Sequence, residues 1–229
     1  MGSITISKTS GAEFISHQLL KFAVNPNPIA ALINVFCDSL NTIQVNNIID
    51  VLNELKTRID FIEKKTGRNL YFDTLVFEDD ILPTLQKAKE QLNARKRKLY
   101  VSFITACIHP DNLNCNNKTI FSNYLDKIDY LSIYLLNILG SYRTEKQLVE
   151  VIGSKYDENV TLVHLWDLKA NNLVDVISAE EFERLHRRFG NLKLRHPENV
   201  TFYKRNRMGD ELFRFIIKGM PNYNSNEEI

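Results

Sequence analysis

Cysteine and glycine are both scarce in this chain, and their scarcity excludes several classes of fold. The sequence has three cysteines and eight glycines among 229 residues. Because Cys37, Cys107 and Cys115 are odd in number and unevenly spaced, they do not form a disulfide framework and fit a reducing compartment. The low glycine count argues against a β-barrel or β-sandwich with many tight turns and favours long helices.

Targeting signals and an excess of charge of one sign are also missing. The N-terminal residues lack the basic region and apolar core of a secretory signal. The most apolar stretch, residues 29–36, is about half as long as a bilayer span requires. Lysine and arginine number 29 against 28 acidic residues, so net charge gives no reason to expect a nucleic-acid or membrane partner. We expect a cytoplasmic protein without a transmembrane segment. If it binds a charged partner, it would do so through a local cluster of charged residues, since the net charge is close to zero.

Apolar residues at helical spacing fill the first part of the chain. The pattern covers residues 29–40, 48–62, 83–109, 120–128 and 131–139. Asn27-Pro28 is typical of a helix start and Thr66-Gly67 of a helix end, while residues 83–109 are long enough to form one spine helix. We interpret residues 26–140 as a helical bundle, preceded by an N-terminal segment, residues 1–25.

From Ser141 the helical patterns shorten and segments with β-branched and aromatic residues appear. Short helices are predicted after Thr144 and after Ser178, each of which is a capping residue. Periodicity leaves open whether residues 160–169 form a strand or a helix. Residues 200–203 read as a strand and residues 209–218 as a closing helix.

These elements are the ingredients of a winged-helix module, and an irregular helical cap on the bundle is the alternative. The sequence therefore predicts a mainly α fold, with an N-terminal helical bundle followed by a small α+β winged-helix-like module at residues 141–219. Residues 220–229 read as a flexible polar tail.

The predicted module carries the strongest functional signal of the sequence, a local excess of basic residues. Between Ser178 and Lys218 there are ten Lys or Arg and six Asp or Glu. In a winged helix, cations on the helix and at the wing tip would meet DNA and gain from counterion release. The predicted nucleic-acid or partner contacts are Arg184, Arg187, Arg188, Lys204, Arg205 and Arg207. A solvated basic face or a protein-binding surface explains them equally well.

A second basic patch consists of four consecutive cations, Arg95, Lys96, Arg97 and Lys98. Because they lie inside a predicted helix, their charges fan around the cylinder and only some could touch one partner. A solvated helix surface that pairs with nearby acids is the simpler interpretation.

Signals for metal binding or catalysis are weak. Cys107, His109 and Cys115 have an unusual spacing for structural zinc, and Cys107 fits a buried apolar helix face. Acidic residues that could be imagined as a nuclease metal site are Asp73, Glu78, Asp79 and Asp80. Acids at a helix N-terminus have a sufficient structural reason, and no nucleophile elbow or phosphate loop is present. We predict no catalytic residue, no metal site and no cofactor.

Trp166, the single tryptophan, lies in the segment LVHLWDL. Packing in the core is the expected role, and a partner-facing aromatic anchor is the alternative.

The order of elements resembles a group of uncharacterised bacterial proteins found on prophages and mobile elements, some of them suspected of roles in phage defence. The segments that carry the resemblance are NIIDVLNELKTRIDFIEKK, RKRKLYVSFITACI, YLDKIDYLSIYLLNIL and FYKRNRMGDELFRFI. The resemblance covers most of residues 26–218. It implies a helical protein with a winged-helix-like end and a bacterial or phage setting, and it implies no catalytic residues.

The sequence thus favours a non-enzymatic helical interaction protein of a bacterial or phage system. Its contacts would be with a protein partner or a second copy, and nucleic acid is a further candidate partner. The alternatives are a winged-helix DNA-binding regulator and a metal-dependent nuclease-type defence effector.

Overall fold

The computed structural model describes residues 42–67, 77–153, 156–187 and 200–220. The predicted N-terminal segment, the helix start at Asn27-Pro28 and residues 221–229 of the predicted tail lie outside these ranges. The described residues are mainly helical and include one small antiparallel sheet of three strands. None of the described helices combines the length and apolar character needed to span a membrane.

The chain divides into two compact units. The described residues of the first unit are 42–67, 77–125 and 215–220, and those of the second are 126–153, 156–187 and 200–214. The division between Leu125 and Asp126 differs from the sequence-based boundary at residue 140. The physical reason is that the helix after Asp129 packs against a later helix of the second unit.

The described residues of the first unit include four complete helices. They are α1 (Thr42–Thr66), α2 (Leu82–Glu90), α3 (Ala94–Ile108) and α4 (Lys118–Leu125). A π-helical turn, Phe77–Ile81, precedes α2, and a 3₁₀ turn, Pro110–Asn112, follows α3. All ten residues from Leu99 to Ile108 are buried, so these last two thirds of α3 lie in the core of the unit.

The predicted spine helix over residues 83–109 is wrong, because it is broken at residues 91–93. Asn93 caps α3 by accepting a hydrogen bond from Lys96 N at 3.1 Å. At the break, the carbonyls of Gln91 and Leu92 are no longer part of a helix, and Arg97 Nη1 donates a hydrogen bond to each of them. Leu92, which the predicted register placed on the apolar face, is 74% exposed. A side-chain cap and an arginine therefore satisfy the backbone that a continuous helix would have paired.

The second unit is built around the sheet. Its elements are α5 (Tyr130–Ile138), β1 (Arg143–Thr144), α6 (Glu145–Ile152), α7 (Glu158–Ala170), β2 (Val174–Ser178), α8 (Ala179–Arg187) and β3 (Thr201–Arg205). The last helix, α9 (Arg207–Lys218), belongs to this unit as far as Arg214.

The sheet is antiparallel with strand order β1-β3-β2, so β3 is the central strand. Tyr203 of β3 pairs with Arg143 on one side and with Val176 on the other. The strand that the sequence predicted at residues 200–203 is present, whereas β1 and β2 were not predicted. A two-residue strand such as β1 has too few residues to show an alternating pattern.

Candidate interaction surfaces

Helix α7 begins and ends at recognisable local signals, and its apolar residues are not confined to one side of the helix. Asp157 caps it by accepting a hydrogen bond from Asn159 N at 2.8 Å. It ends before Asn172, whose φ of 55° is the left-handed conformation that asparagine tolerates. The structure thus answers the question that periodicity left open for residues 160–169, in favour of a helix.

Apolar side chains lie on two opposite sides of α7. Thr161, Leu165 and Leu168, spaced four and three residues apart, are fully buried within the second unit. On the opposite side lie three apolar side chains spaced three residues apart, with exposed fractions of 42%, 49% and 53%: Val160, Val163 and Trp166. We call these three residues the α7 stripe. Three neighbouring apolar side chains that are exposed on one side of a helix form an uncovered apolar surface within this unit.

The expected core position of Trp166 is therefore wrong. Because Leu165 and Leu168 face inward, helical geometry turns Trp166 to the outer side. Leu165 and Leu168 on one side of the helix and Val163 and Trp166 on the other are all apolar, so the sequence could not show which side is covered.

Two opposite charges lie near the two ends of α7, outside the α7 stripe. Glu158 in the first turn and Lys169 in the last turn are both exposed. They are eleven residues apart, close to three full turns, and therefore share one side of the helix, which is the side of Leu165 and not that of Val163. Within the part of the chain that the structure describes, neither side chain forms an ion pair.

Two of the predicted basic contacts, Arg184 and Arg207, are exposed. The Arg184 side chain is 75% exposed, and its Nη2 lies 3.6 Å from Glu181 Oε1. The Arg207 side chain is 93% exposed, and its Nε lies 2.9 Å from Glu211 Oε1. The Arg187 side chain and Arg188 lie outside the described residues. Both described arginines thus have an acidic neighbour on the same helix, which reduces their local positive charge.

Lys204 and Arg205 do not form the exposed wing tip that the sequence suggested, because they lie on the central strand. Lys204 is half-buried, and its ammonium lies 5.0 Å from the centre of the Tyr142 ring. The Arg205 side chain is only 16% exposed, and its Nε lies 2.8 Å from Asp210 Oδ1.

Further contacts of Arg205 explain its burial. Its Nη1 donates to the Leu136 carbonyl at 3.1 Å, and its guanidinium lies 4.5 Å from the centre of the Phe213 ring. The contact with Asp210 is an ion pair whose N–H direction does not meet hydrogen-bond geometry. Arg205 therefore links α5, β3 and α9 instead of meeting a ligand.

The basic patch at residues 95–98 is divided around α3, as its spacing predicted. Lys96 donates to the Leu125 carbonyl, and the Arg97 side chain, 13% exposed, lies 3.3 Å from Asp50 Oδ2. Arg95 and Lys98 are exposed. Arg97 and Lys98 line an open groove of about 330 Å³ beside Asp50 and Glu54. This groove carries both signs of charge and does not form a cationic surface.

The acidic and cysteine clusters do not form a described metal site. Asp73 and the Glu78 side chain lie outside the described residues, Asp79 is exposed and Asp80 is buried. Burial raises the pKa of the Asp80 carboxyl, and the nearby Lys118 ammonium opposes this rise. Among the described residues, no three His, Cys, Asp or Glu side chains are grouped to hold a metal ion.

Cys107 is fully buried in α3, as predicted for a small apolar residue. Burial raises the pKa of its thiol well above the ordinary value, which disfavours the reactive thiolate.

A serine, a histidine and an aspartate meet at the start of α5, which the sequence did not suggest. Ser132 Oγ lies 3.3 Å and Asp129 Oδ1 lies 3.4 Å from the same atom, His164 Nδ1. In a catalytic triad the serine and the aspartate contact different ring nitrogens. Here Asp129 also accepts from Ser132 N at 3.0 Å, as part of a capping box. The arrangement is that of a helix cap which His164 of α7 joins.

Comparison with protein-family models, with curated proteins and with solved structures finds no match for this chain. The chemistry of its own surfaces is therefore the basis for assigning a function.

Proposed function

We propose that this chain is a non-enzymatic interaction protein that binds other proteins through the α7 stripe. The observation that carries the proposal is the exposure of Val160, Val163 and Trp166 on one side of one helix. Exposed apolar side chains that are scattered singly need no explanation, whereas a contiguous group that includes a tryptophan is typical of a binding surface.

The proposal includes a winged-helix arrangement for the second unit. Support comes from the element order α5-β1-α6-α7-β2-β3 and from the antiparallel strand order β1-β3-β2. Helices α6 and α7 would be the helix-turn-helix pair, and α7 would be its second helix, the one that such modules present to a ligand. Helix α8 would then lie in the connection between β2 and β3, where a wing is expected.

The composition of α7 favours a protein ligand over DNA. A helix that enters the major groove offers cations and hydrogen-bond donors to phosphates and base edges. The exposed side of α7 instead offers the apolar α7 stripe, while Glu158 stands in the first turn of the helix and its single lysine, Lys169, in the last. Acidic residues at the N-terminus of a helix repel phosphate, and aromatic residues are enriched in protein interfaces.

The bacterial or phage setting, including phage defence, belongs to the proposal on the strength of the sequence resemblance. The competing function is DNA binding through Arg184 and Arg207, whose side chains are exposed. A metal-dependent nuclease is the third function class. Of the acidic residues that would form its metal site, the structure describes the side chains of Asp79 and Asp80.

Site-specific photocrosslinking would test the proposed function. A photoreactive phenylalanine analogue would replace Val163 in the full chain, and the matched control would carry it at Lys146 of α6, whose side chain is 85% exposed. Under native conditions in bacterial cells, we expect discrete protein adducts from position 163 and none from position 146. Equal labelling at both positions, or no adduct, would contradict the proposal.

The DNA alternative would be tested on the purified protein with a random-sequence duplex across a salt series. If the chain binds protein and not DNA, we expect to detect no DNA binding of the kind that weakens steeply as the salt concentration rises. Binding that falls steeply with salt and is abolished by Arg184→Glu/Arg207→Glu would instead establish the nucleic-acid function.

A further inference from the structure

We infer that the first unit carries a receptor groove for a short helical segment that ends in glycine, and that residues 215–220 occupy this groove as a ligand supplied by the same chain. We call these residues the closing segment. They belong to the first unit, although residues 126–214 of the second unit separate them in sequence from its other residues. The inference does not depend on the α7 stripe, and it adds a second recognition surface to the chain.

The closing segment begins with an apolar anchor. The centre of the Phe215 ring lies 5.5 Å from that of Phe103 in α3 and 5.1 Å from that of Phe121 in α4. Phe215 is 3% exposed, and the next residue, Ile216, is fully buried. A large apolar side chain that fills a pocket between helices is the usual anchor when a helical segment binds in a groove.

Two buried polar side chains of the first unit bind the backbone of the closing segment. Asn112 Nδ2 donates to the Phe215 carbonyl at 3.4 Å, and Arg58 Nη1 donates to the Gly219 carbonyl at 3.0 Å. Both donors are buried, so the loss of these acceptors would cost free energy. The groove therefore offers hydrogen-bond donors to a bound backbone near each end of the segment.

The groove also selects side chains of the closing segment. A Cβ at Gly219 would lie 1.8 Å from the Ser102 carbonyl oxygen and 2.8 Å from Ala106 N, so α3 leaves room for glycine alone. One residue earlier, Lys218 Nζ lies 3.4 Å from Asp111 Oδ2 at the rim of the groove. The residues that form the receptor groove are Arg58, Ser102, Phe103, Ala106, Asn112 and Phe121. Its ligand is a helical turn with phenylalanine first, lysine fourth and glycine fifth.

A segment that is part of the chain occupies the groove in preference to a free peptide. Its effective concentration is on the order of millimolar, so a peptide at micromolar concentration does not displace it. A chain whose own closing segment is weakened should instead accept the same sequence from outside. Gly219→Ala weakens the segment by a clash with α3, and Phe215→Ala weakens it by removing the anchor. Both changes leave the residues of the receptor groove intact.

Fluorescence anisotropy with a labelled peptide of residues 211–220 would test the inference on the full chain. We expect the peptide to bind the Gly219→Ala and Phe215→Ala chains at least about tenfold more tightly than it binds the wild type. The Gly140→Ala chain is the matched control and should bind no better than the wild type. The same peptide with Gly219→Ala should bind each variant chain at least about tenfold more weakly, because of the clash with α3.

Circular dichroism of each variant makes the test decisive even if a variant fails to fold. An unfolded variant should recover its helical signal on addition of the native peptide and not of the peptide with Gly219→Ala. Folded variants that bind the native peptide no better than the wild type does would overturn the inference, as would unfolded variants that the peptide does not restore. Equal binding of the two peptides would also overturn it, because the groove would then show no selection for glycine.

Discussion

Replacing Gly219 by alanine would force the chain apart at the centre of the first unit. Gly219 follows α9, and a Cβ at this position would lie 1.8 Å from the Ser102 carbonyl oxygen and 2.8 Å from Ala106 N. Both are backbone atoms of fully buried residues in α3. Arg58 Nη1 also donates to the Gly219 carbonyl at 3.0 Å and holds it in place. No rotation of a flexible side chain can relieve this contact.

The cost follows from three contributions. Ordinary contact begins near 3.4 Å, so the two backbones must separate by roughly 1.6 Å. Overpacking of a close-packed interior costs about 1–3 kcal/mol, and losing the Arg58 hydrogen bond adds about 1–3 kcal/mol. Alanine recovers about 0.4–1 kcal/mol by restricting the unfolded chain. We expect the free energy of unfolding to fall by about 3 kcal/mol.

Urea unfolding followed by circular dichroism would measure this loss, with Gly140→Ala as the matched control. A Cβ at Gly140 would lie 3.4 Å from its nearest neighbour, the Asn137 carbonyl oxygen, which is ordinary contact. The control should therefore be neutral or slightly stabilising, so the same chemical change is expected to act with opposite sign at the two positions. A Gly219→Ala protein within about 0.5 kcal/mol of the wild type would refute the reasoning, since this is the usual scatter of harmless substitutions.

Three further predictions concern polar groups that are buried or partly buried. Arg58→Met removes the donor to Ser102 Oγ at 2.5 Å and to the Gly219 carbonyl, and should lower the free energy of unfolding by about 2–4 kcal/mol in a urea titration. Burial, followed by Lys218 and Lys65, lowers the pKa of His109 below its ordinary 6.5 against the opposing effect of Asp111. The stability that depends on neutral His109 is therefore present above pH 6.5 and is lost as pH falls through the lowered pKa. His109→Gln should flatten the dependence of unfolding free energy on pH below this value, and an unchanged slope would contradict the assignment. Tyr203 donates to Glu145 Oε1 at 2.6 Å, and burial together with this bond raises the pKa of its phenol. Tyr203→Phe should cost about 1–2 kcal/mol in thermal unfolding, and should remove a tyrosine that stays protonated while exposed tyrosines ionise in an alkaline absorbance titration.

Local signals in the sequence predicted where several helices begin and end. Thr144 caps α6 through a capping box with Gln147. Ser178 Oγ accepts a hydrogen bond from Glu181 N at the start of α8. Gly67, with φ of 64°, ends α1 where the Thr66-Gly67 signal placed the end. Such signals act over three or four residues, so a reader of the sequence has all the interacting groups in view.

Two features of the candidate sites required the tertiary structure. The sequence identified Arg205 as a cation in a basic segment, but only the pairing of β3 with two neighbouring strands made it part of a central strand and brought Asp210 and Phe213 to its guanidinium. Basic residue type predicts charge, whereas exposure depends on contacts between segments distant along the chain.

Helix α7 shows more clearly which properties follow from the sequence and which follow from tertiary packing. The amino-acid sequence by itself determined that residues 158–170 are rich in apolar side chains and carry opposite charges near the two ends. It could not determine which apolar side chains would be covered, because apolar residues occur on opposite sides of the helix. Packing against α5, α6 and β2 buried Leu165 and Leu168 and left Trp166 outside, since a helix has two sides and the neighbouring elements of this unit cover one.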